Sequence, residues 1–188
     1  MAKELTVEKR KELIAKYPYL MPRTMFTDEV HPDFNYEFIK GEHDLPKGWL
    51  ELFLQCCEDL YEPLKRADYL NKFRFLDIKE KWGAMDFSTY RITSEVSEIL
   101  EKYRFISKQV CSRCGKPATV RTYSYVLPFC LEHIKGSGET IEDVELITPQ
   151  TSYIRTEWVA DCKREKSISV KDEWERYLKR IGYTDDSN

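Results

Sequence analysis

The clearest pattern along the chain is an apolar stripe that begins after Pro46 and Gly48. Leu50, Phe53, Leu54, Cys57, Tyr61 and Leu64 recur at three- and four-residue intervals, which predicts an amphipathic helix. Pro63 should end or kink it near Glu62, because proline lacks the amide a helix interior needs. Cys57 belongs to the stripe and Cys56 lies beside it; adjacent cysteines on a helix point apart, so both read as small buried side chains. A second stripe, Val96, Ile99, Leu100, Tyr103, Ile106 and Val110, follows Thr93, a good N-cap, and predicts a helix leading directly into Cys111.

Between these helices the period changes to two. In KFRFLDIKEK, Phe73, Phe75 and Asp77 alternate with Arg74, Leu76 and Ile78, so apolar residues fall on both faces and a central strand is expected. Trp82-Gly83-Ala84 supplies a turn and MDFSTY alternates again, completing a hairpin. Toward the N-terminus, Thr6 caps a short helix reaching about Lys16, with Leu13, Ile14 and Tyr17 on one side. Residues 17–43 form a broken aromatic run, read as an extended wrap anchored by Tyr19, Phe26, Phe34, Tyr36 and Phe38. Beyond His133, IEDVELI reads as a short strand and TSYIRTEWVA as a further strand or arm. A capping box from Ser169 to Asp172 opens a last helix carrying Trp174, Tyr177, Leu178 and Ile181. Four stretches result: 1–45 (helix and wrap), 46–110 (helix–hairpin–helix core), 111–135 and 136–188 (arm and helix), expected to form one compact domain. The fold class is α+β, a small antiparallel sheet flanked by helices, with a zinc-ribbon or knuckle module packed on it.

Composition narrows the function classes. Charged residues make up 34 % of the 188 residues, but the signs nearly cancel to a net charge of -3. Contact with an anionic partner would therefore have to come from a local patch. No run of 18 apolar residues exists, so no membrane partner is expected. The first twenty residues lack the apolar core and small-residue cleavage site of a secretory signal. Six cysteines without an export signal suggest a reducing compartment, and the expected location is the cytoplasm.

Four of the metal-ligating side chains share one spacing, C-x2-C-x15-C-x2-H, formed by Cys111, Cys114, Cys130 and His133. Two close pairs separated by a hairpin-sized insert are how a short chain surrounds tetrahedral zinc. Gly115 suits a tight knuckle. The β-branched and aromatic insert TVRTYSYVL suits an intervening strand or hairpin. Four protein ligands leave no position for a reacting water, so the expected cofactor is a structural Zn2+.

From Lys102 to Lys135 there are seven basic residues (Lys102, Arg104, Lys108, Arg113, Lys116, Arg121 and Lys135) against one acidic, Glu132. Interleaved Tyr103, Phe105, Tyr123 and Tyr125 make the stretch suited to a nucleotide or nucleic-acid strand.

The stretch Lys79-Glu80-Lys81-Trp82-Gly83-Ala84-Met85-Asp86-Phe87 resembles a K-E-K-[F/Y/W]-G-x-[L/M]-x-[F/W] signature. That signature is associated with a family of uncharacterised small proteins encoded by phages, prophages and bacteria, which the stretch resembles. PKGW at 46–49 and YPYLMPR near the start are also similar to that family, and the resemblance covers about residues 17–134. It implies a helix–hairpin–helix core followed by a Cys/His knuckle, and a phage accessory role. It brings no activity with it, so the motif has to be read physically. Lys79 and Lys81 share one strand face, Glu80 the other, and Trp82 sits at the turn. Lysines beside an aromatic at a glycine turn can clamp a phosphate and stack a base.

The expected function is therefore non-enzymatic binding of an anionic, nucleotide-like small molecule, such as a host immune signal sequestered in the host cytoplasm. The ligand-binding candidates are Lys79, Lys81, Trp82, Arg104, Lys116, Arg121, Tyr123 and Tyr125. A nucleic-acid-binding zinc-ribbon regulator and an inhibitor or adaptor with a host-protein partner are the alternatives. His31 and His43, with Asp33, Glu42 and Asp44 nearby, match no hydrolase spacing, and no catalytic residue is assigned.

Overall fold

A computed structural model describes residues 5–24, 27–31, 45–90, 92–123, 126–134, 144–159 and 162–184. Phe26, Phe34, Tyr36, Phe38, Asp33, Glu42, His43, Asp44 and Tyr125 of the expectations above lie outside the described residues. The architecture is α+β, with helices around small antiparallel sheets. Among the described residues, no helix is long and apolar enough to cross a membrane.

Helix α1 (Val7–Lys16) is capped as its sequence predicts, the Thr6 hydroxyl accepting from the Lys9 amide. Two helices form the centre, α2 (Leu50–Arg66) and α3 (Ser94–Ser107), the latter capped by Thr93. Their facing stripes bury Phe53, Cys57, Leu60, Leu64, Leu100 and Ile106, and Cys56 is buried with them. Helix α2 does not stop near Glu62. It runs through Pro63 to Arg66, because Leu60 and Leu64 on either side of the proline are fully buried and hold the last turn in place. Tertiary burial here outweighs one missing helical hydrogen bond.

The hairpin β1 (Arg74–Lys81) and β2 (Ala84–Tyr90) lies against α3, and β1 is not central. Among the described residues it pairs with β2 alone. Its apolar residues seemed to occupy both faces because the register shifts between Phe75 and Asp77. An extra residue, Leu76, reverses the alternation, so Phe73 and Phe75 before the bulge and Ile78 after it are all buried. The rings of Phe53, Phe73 and Tyr19 meet Phe75 edge-on, at centroid separations of 5.7, 5.2 and 6.3 Å.

A second sheet has the order β4–β3–β5, from β3 (Val120–Thr122), β4 (Pro128–Phe129) and β5 (Val144–Leu146). A four-residue helix, α4 (Leu131–Ile134), follows β4. Val120, Phe129, Ile134 and Val144 form a small core of their own with Cys111 and Cys130. The third sheet is a ribbon, β6 (Ser152–Val159) with β7 (Cys162–Ser169), so SYIRTEWV is one strand of an antiparallel pair whose partner strand is CKREKSIS. Its base is fixed by the Tyr153 ring stacked 4.8 Å from Phe105 and by Arg155, 3.3 Å from Glu101.

The last helix, α5 (Lys171–Arg180), begins after Val170 rather than at a Ser169–Asp172 box. The Ser169 hydroxyl accepts instead from the Lys171 amide, and the Val170 amide is held by the Thr151 carbonyl. The helix docks on its own chain. Arg176 reaches both oxygens of Asp59 on α2, at 2.8 and 2.6 Å, and Asp59 also accepts from the Tyr103 hydroxyl at 2.6 Å. Arg180 bridges Glu51 and Glu58, and Gln55 donates to the Glu173 carbonyl.

Candidate functional site

Helix α3 ends at Ser107 and the chain turns through Val110 into the first cysteine pair. The Cys111 amide donates to the Lys116 carbonyl, and the Gly115 amide donates back to the Cys111 carbonyl, closing a tight knuckle. Gly115 has φ +81, where a side chain would be strained. The insert forms the β3–β4 hairpin, with Val120 opposite Phe129, and returns the chain at Cys130. The first turn of α4 then brings His133 back beside Cys130.

The result is a cluster in which the ligand atoms of Cys111, Cys114, Cys130 and His133 all lie within 4.8 Å of one another. Cys114 Sγ is 3.8 Å from Cys130 Sγ, and His133 Nδ1 is 3.7 Å from Cys111 Sγ and 3.2 Å from Cys130 Sγ. A tetrahedron with metal–sulfur bonds of about 2.3 Å has edges of about 3.8 Å, so these separations fit ligands arranged around a metal ion. Burial, countered by the Lys116 amide and reinforced by the neighbouring sulfurs, pushes the Cys114 thiol up to about 12. Such a thiol stays protonated unless a cation is present to take the charge.

The knuckle is clamped by residues distant in sequence. The Gly48 amide donates to the Ser112 carbonyl at 2.9 Å, and the Trp49 indole donates to the Val110 carbonyl at 2.8 Å. From α5, the buried Tyr177 hydroxyl donates to the Gly115 carbonyl at 2.6 Å. Tyr177→Phe removes one buried bond and leaves that carbonyl unpaired, so we expect a loss of about 1–2 kcal/mol in denaturant melts. Metal content should be unchanged. The physical role of Gly48 in PKGW is to let two backbones touch beside Cys111.

The ligand-binding candidates fall into groups. Lys79 is ion-paired with Asp77 at 2.7 Å, and Lys116 with Glu132 at 3.4 Å. Lys81 is exposed at the end of β1. Arg104 contacts Asp86 at 3.1 Å, and Arg121 contacts Glu145 at 3.3 Å. Arg104 and Arg121 share a neighbour, Lys108, which in the sequence is only one of seven basic residues in the run. The signal available was the i, i+4 spacing of Arg104 and Lys108, which places both on one side of α3 and its continuation.

Lys108 lines a groove of about 280 Å³ with Phe105, Arg121, Leu146, Thr148 and Gln150, among others. Glu145 is the one carboxylate in that lining. Burial, then the positive charges of Arg104 and Arg121, hold the Lys108 ammonium below the usual lysine value. A second cleft, of about 460 Å³ between α3 and β6, has the opposite character, with Glu95, Glu98 and Glu157 beside Lys102 and Arg155.

Together these features define a small α+β protein with a Cys3His cluster fit for a metal and a basic groove beside it. No protein family, curated protein or solved structure matches the chain.

Proposed function

We propose that the chain is a zinc-stabilised binding protein for an anionic, nucleotide-like small molecule, and that it binds without turnover. Three sulfurs and one imidazole nitrogen are the donor set zinc prefers in structural sites of the ribbon or knuckle type. Four protein ligands fill the tetrahedron, so the ion holds the knuckle and offers no open position to a substrate. Binding is assigned to the neighbouring groove.

The observation that carries this reading is the meeting of Lys108 and Arg121, from two elements, in one groove, with Arg104 near enough for its charge to act on Lys108. Among the described residues, no carboxylate pairs with Lys108. An anion seated there counters the burial and the neighbouring positive charges that together lower its ammonium. The Arg121–Glu145 contact in the groove is half-exposed, worth about 0–1 kcal/mol, and so a phosphate can displace Glu145. In line with the resemblance to phage-encoded proteins, the proposed role is sequestration of a nucleotide signal in the host cytoplasm.

A thermal-shift series with inorganic triphosphate and nucleoside phosphates tests the proposal. At least one phosphate should raise the melting temperature of the zinc-loaded protein, the effect shrinking with added salt. Lys108→Glu should abolish it without altering the metal content. If none of these anions shifts the wild-type melt, the reading is wrong.

A further inference from the structure

The turn between β1 and β2 contains two residues, Trp82 and Gly83, with φ +55 and +72. Positive φ at both positions is what a two-residue type I′ turn demands, and that turn favours Asn-Gly, Asp-Gly or Gly-Gly. Glycine at 83 fits. Tryptophan at 82 does not, since a bulky side chain in the left-handed region is strained. Packing does not explain the choice either, because Trp82 is 75 % exposed. The largest side chain in the repertoire thus occupies a costly backbone position and is left in solvent.

The turn beneath it is rigid. The Glu80 carboxylate accepts from the Gly83 amide at 2.7 Å. A Cβ placed on Gly83 would lie 3.0 Å from the Val126 carbonyl oxygen, so the turn rests on the loop of the β3–β4 hairpin. That loop begins with Tyr123, another aromatic, 66 % exposed. Tyr123 follows directly on β3, two residues after Arg121. The Met85 amide donates to the Ser107 hydroxyl next to Lys108, and Arg121 donates to the Lys108 carbonyl. These contacts bring the tryptophan turn, the end of α3 and the start of the β3–β4 loop to one corner of the molecule.

We propose that Trp82 is a displayed stacking residue that makes the neighbouring cationic groove selective for nucleotides, whose bases it stacks, over simple polyphosphates. This rests on the anion-binding reading and specifies its ligand class. An aromatic ring held on a rigid turn stacks a base at little entropic cost, and such stacking changes affinity by roughly 5- to 150-fold. Strain tolerated at an exposed position is explained if the side chain is used in binding.

The test compares wild type, Trp82→Asn and Lys108→Glu, each zinc-loaded, by calorimetric titration with ATP, with inorganic triphosphate and with a short single-stranded oligonucleotide. Asparagine suits the turn, so Trp82→Asn should melt higher than wild type. It should bind ATP at least fivefold more weakly, yet bind triphosphate as wild type does. Lys108→Glu should lose both. Equal ATP affinity in wild type and Trp82→Asn overturns the stacking role while leaving the anion site intact. Loss of triphosphate binding in Trp82→Asn also overturns it, because the residue would then be holding the groove together. No binding of either phosphate by wild type removes the underlying reading. Oligonucleotide binding tenfold or more tighter than ATP overturns the small-molecule class in favour of a nucleic-acid strand.

Discussion

Cys111→Ser should release the metal and unfold the corner of the molecule built around it. Cys111 is fully buried, shares a small core with Val120, Phe129 and Ile134, and contributes one of four convergent ligand atoms. In small zinc modules the metal supplies apparent binding energies of about 10–16 kcal/mol, most of it coupled to folding. Here the knuckle is also held by Gly48, Trp49 and Tyr177, so the loss should be a fraction of that, on the order of several kcal/mol. Melting curves and a colorimetric zinc assay check it. Cys57→Ser is the control, since that buried thiol lies in α2 and outside the cluster. It should keep its metal. Lowering the pH should imitate Cys111→Ser, because thiols must shed protons to bind a metal. Any stability a bound metal confers should therefore be complete near neutral pH and be lost as acid returns those protons.

Gly48→Ala should be nearly as damaging, for a steric reason. A Cβ at Gly48 would sit 2.2 Å from the Cys111 carbonyl oxygen and 2.8 Å from both the Gly115 nitrogen and the Ser112 carbonyl carbon. All three are backbone atoms of the knuckle and cannot rotate aside. Overpacking of this kind costs about 3 kcal/mol or more, which lowers the melting temperature of a chain this long by about 6–12 °C. The knuckle must also shift, so metal affinity should fall with stability. Gly182→Ala gives the contrast. That glycine has φ +66 but open space around it, and its replacement should cost only about 1 kcal/mol.

The helices and the ligand spacing were legible because both are local patterns. Apolar residues at three- and four-residue intervals marked α2 and α3, and two paired ligands marked the cluster. What the sequence hid were contacts between residues far apart in the chain. The bulge at Leu76 made an edge-exposed ribbon look like a central strand, since a one-residue slip puts the same side chains on the opposite face. Pro63 was read by its intrinsic preference, which burial of Leu60 and Leu64 overrode. The return strand β7, Lys163 to Ser167, is largely polar and exposed, so alternation gave little sign of it. Lys108 is unremarkable among seven basic residues until Arg121 arrives beside it from β3.

The central claim is that an anion binds in the groove of Lys108, beside a metal site that takes no part. Amide and indole chemical shifts during titration of ATP into the zinc-loaded protein test it most directly. The shifts should move in a saturable way around Arg104–Gln109, Arg121–Tyr123 and Thr148–Gln150, and at the Trp82 indole, while Cys114 and His133 stay still. An unperturbed spectrum, or shifts centred on the four metal ligands or the acidic cleft at Glu95 and Glu98, would contradict the account.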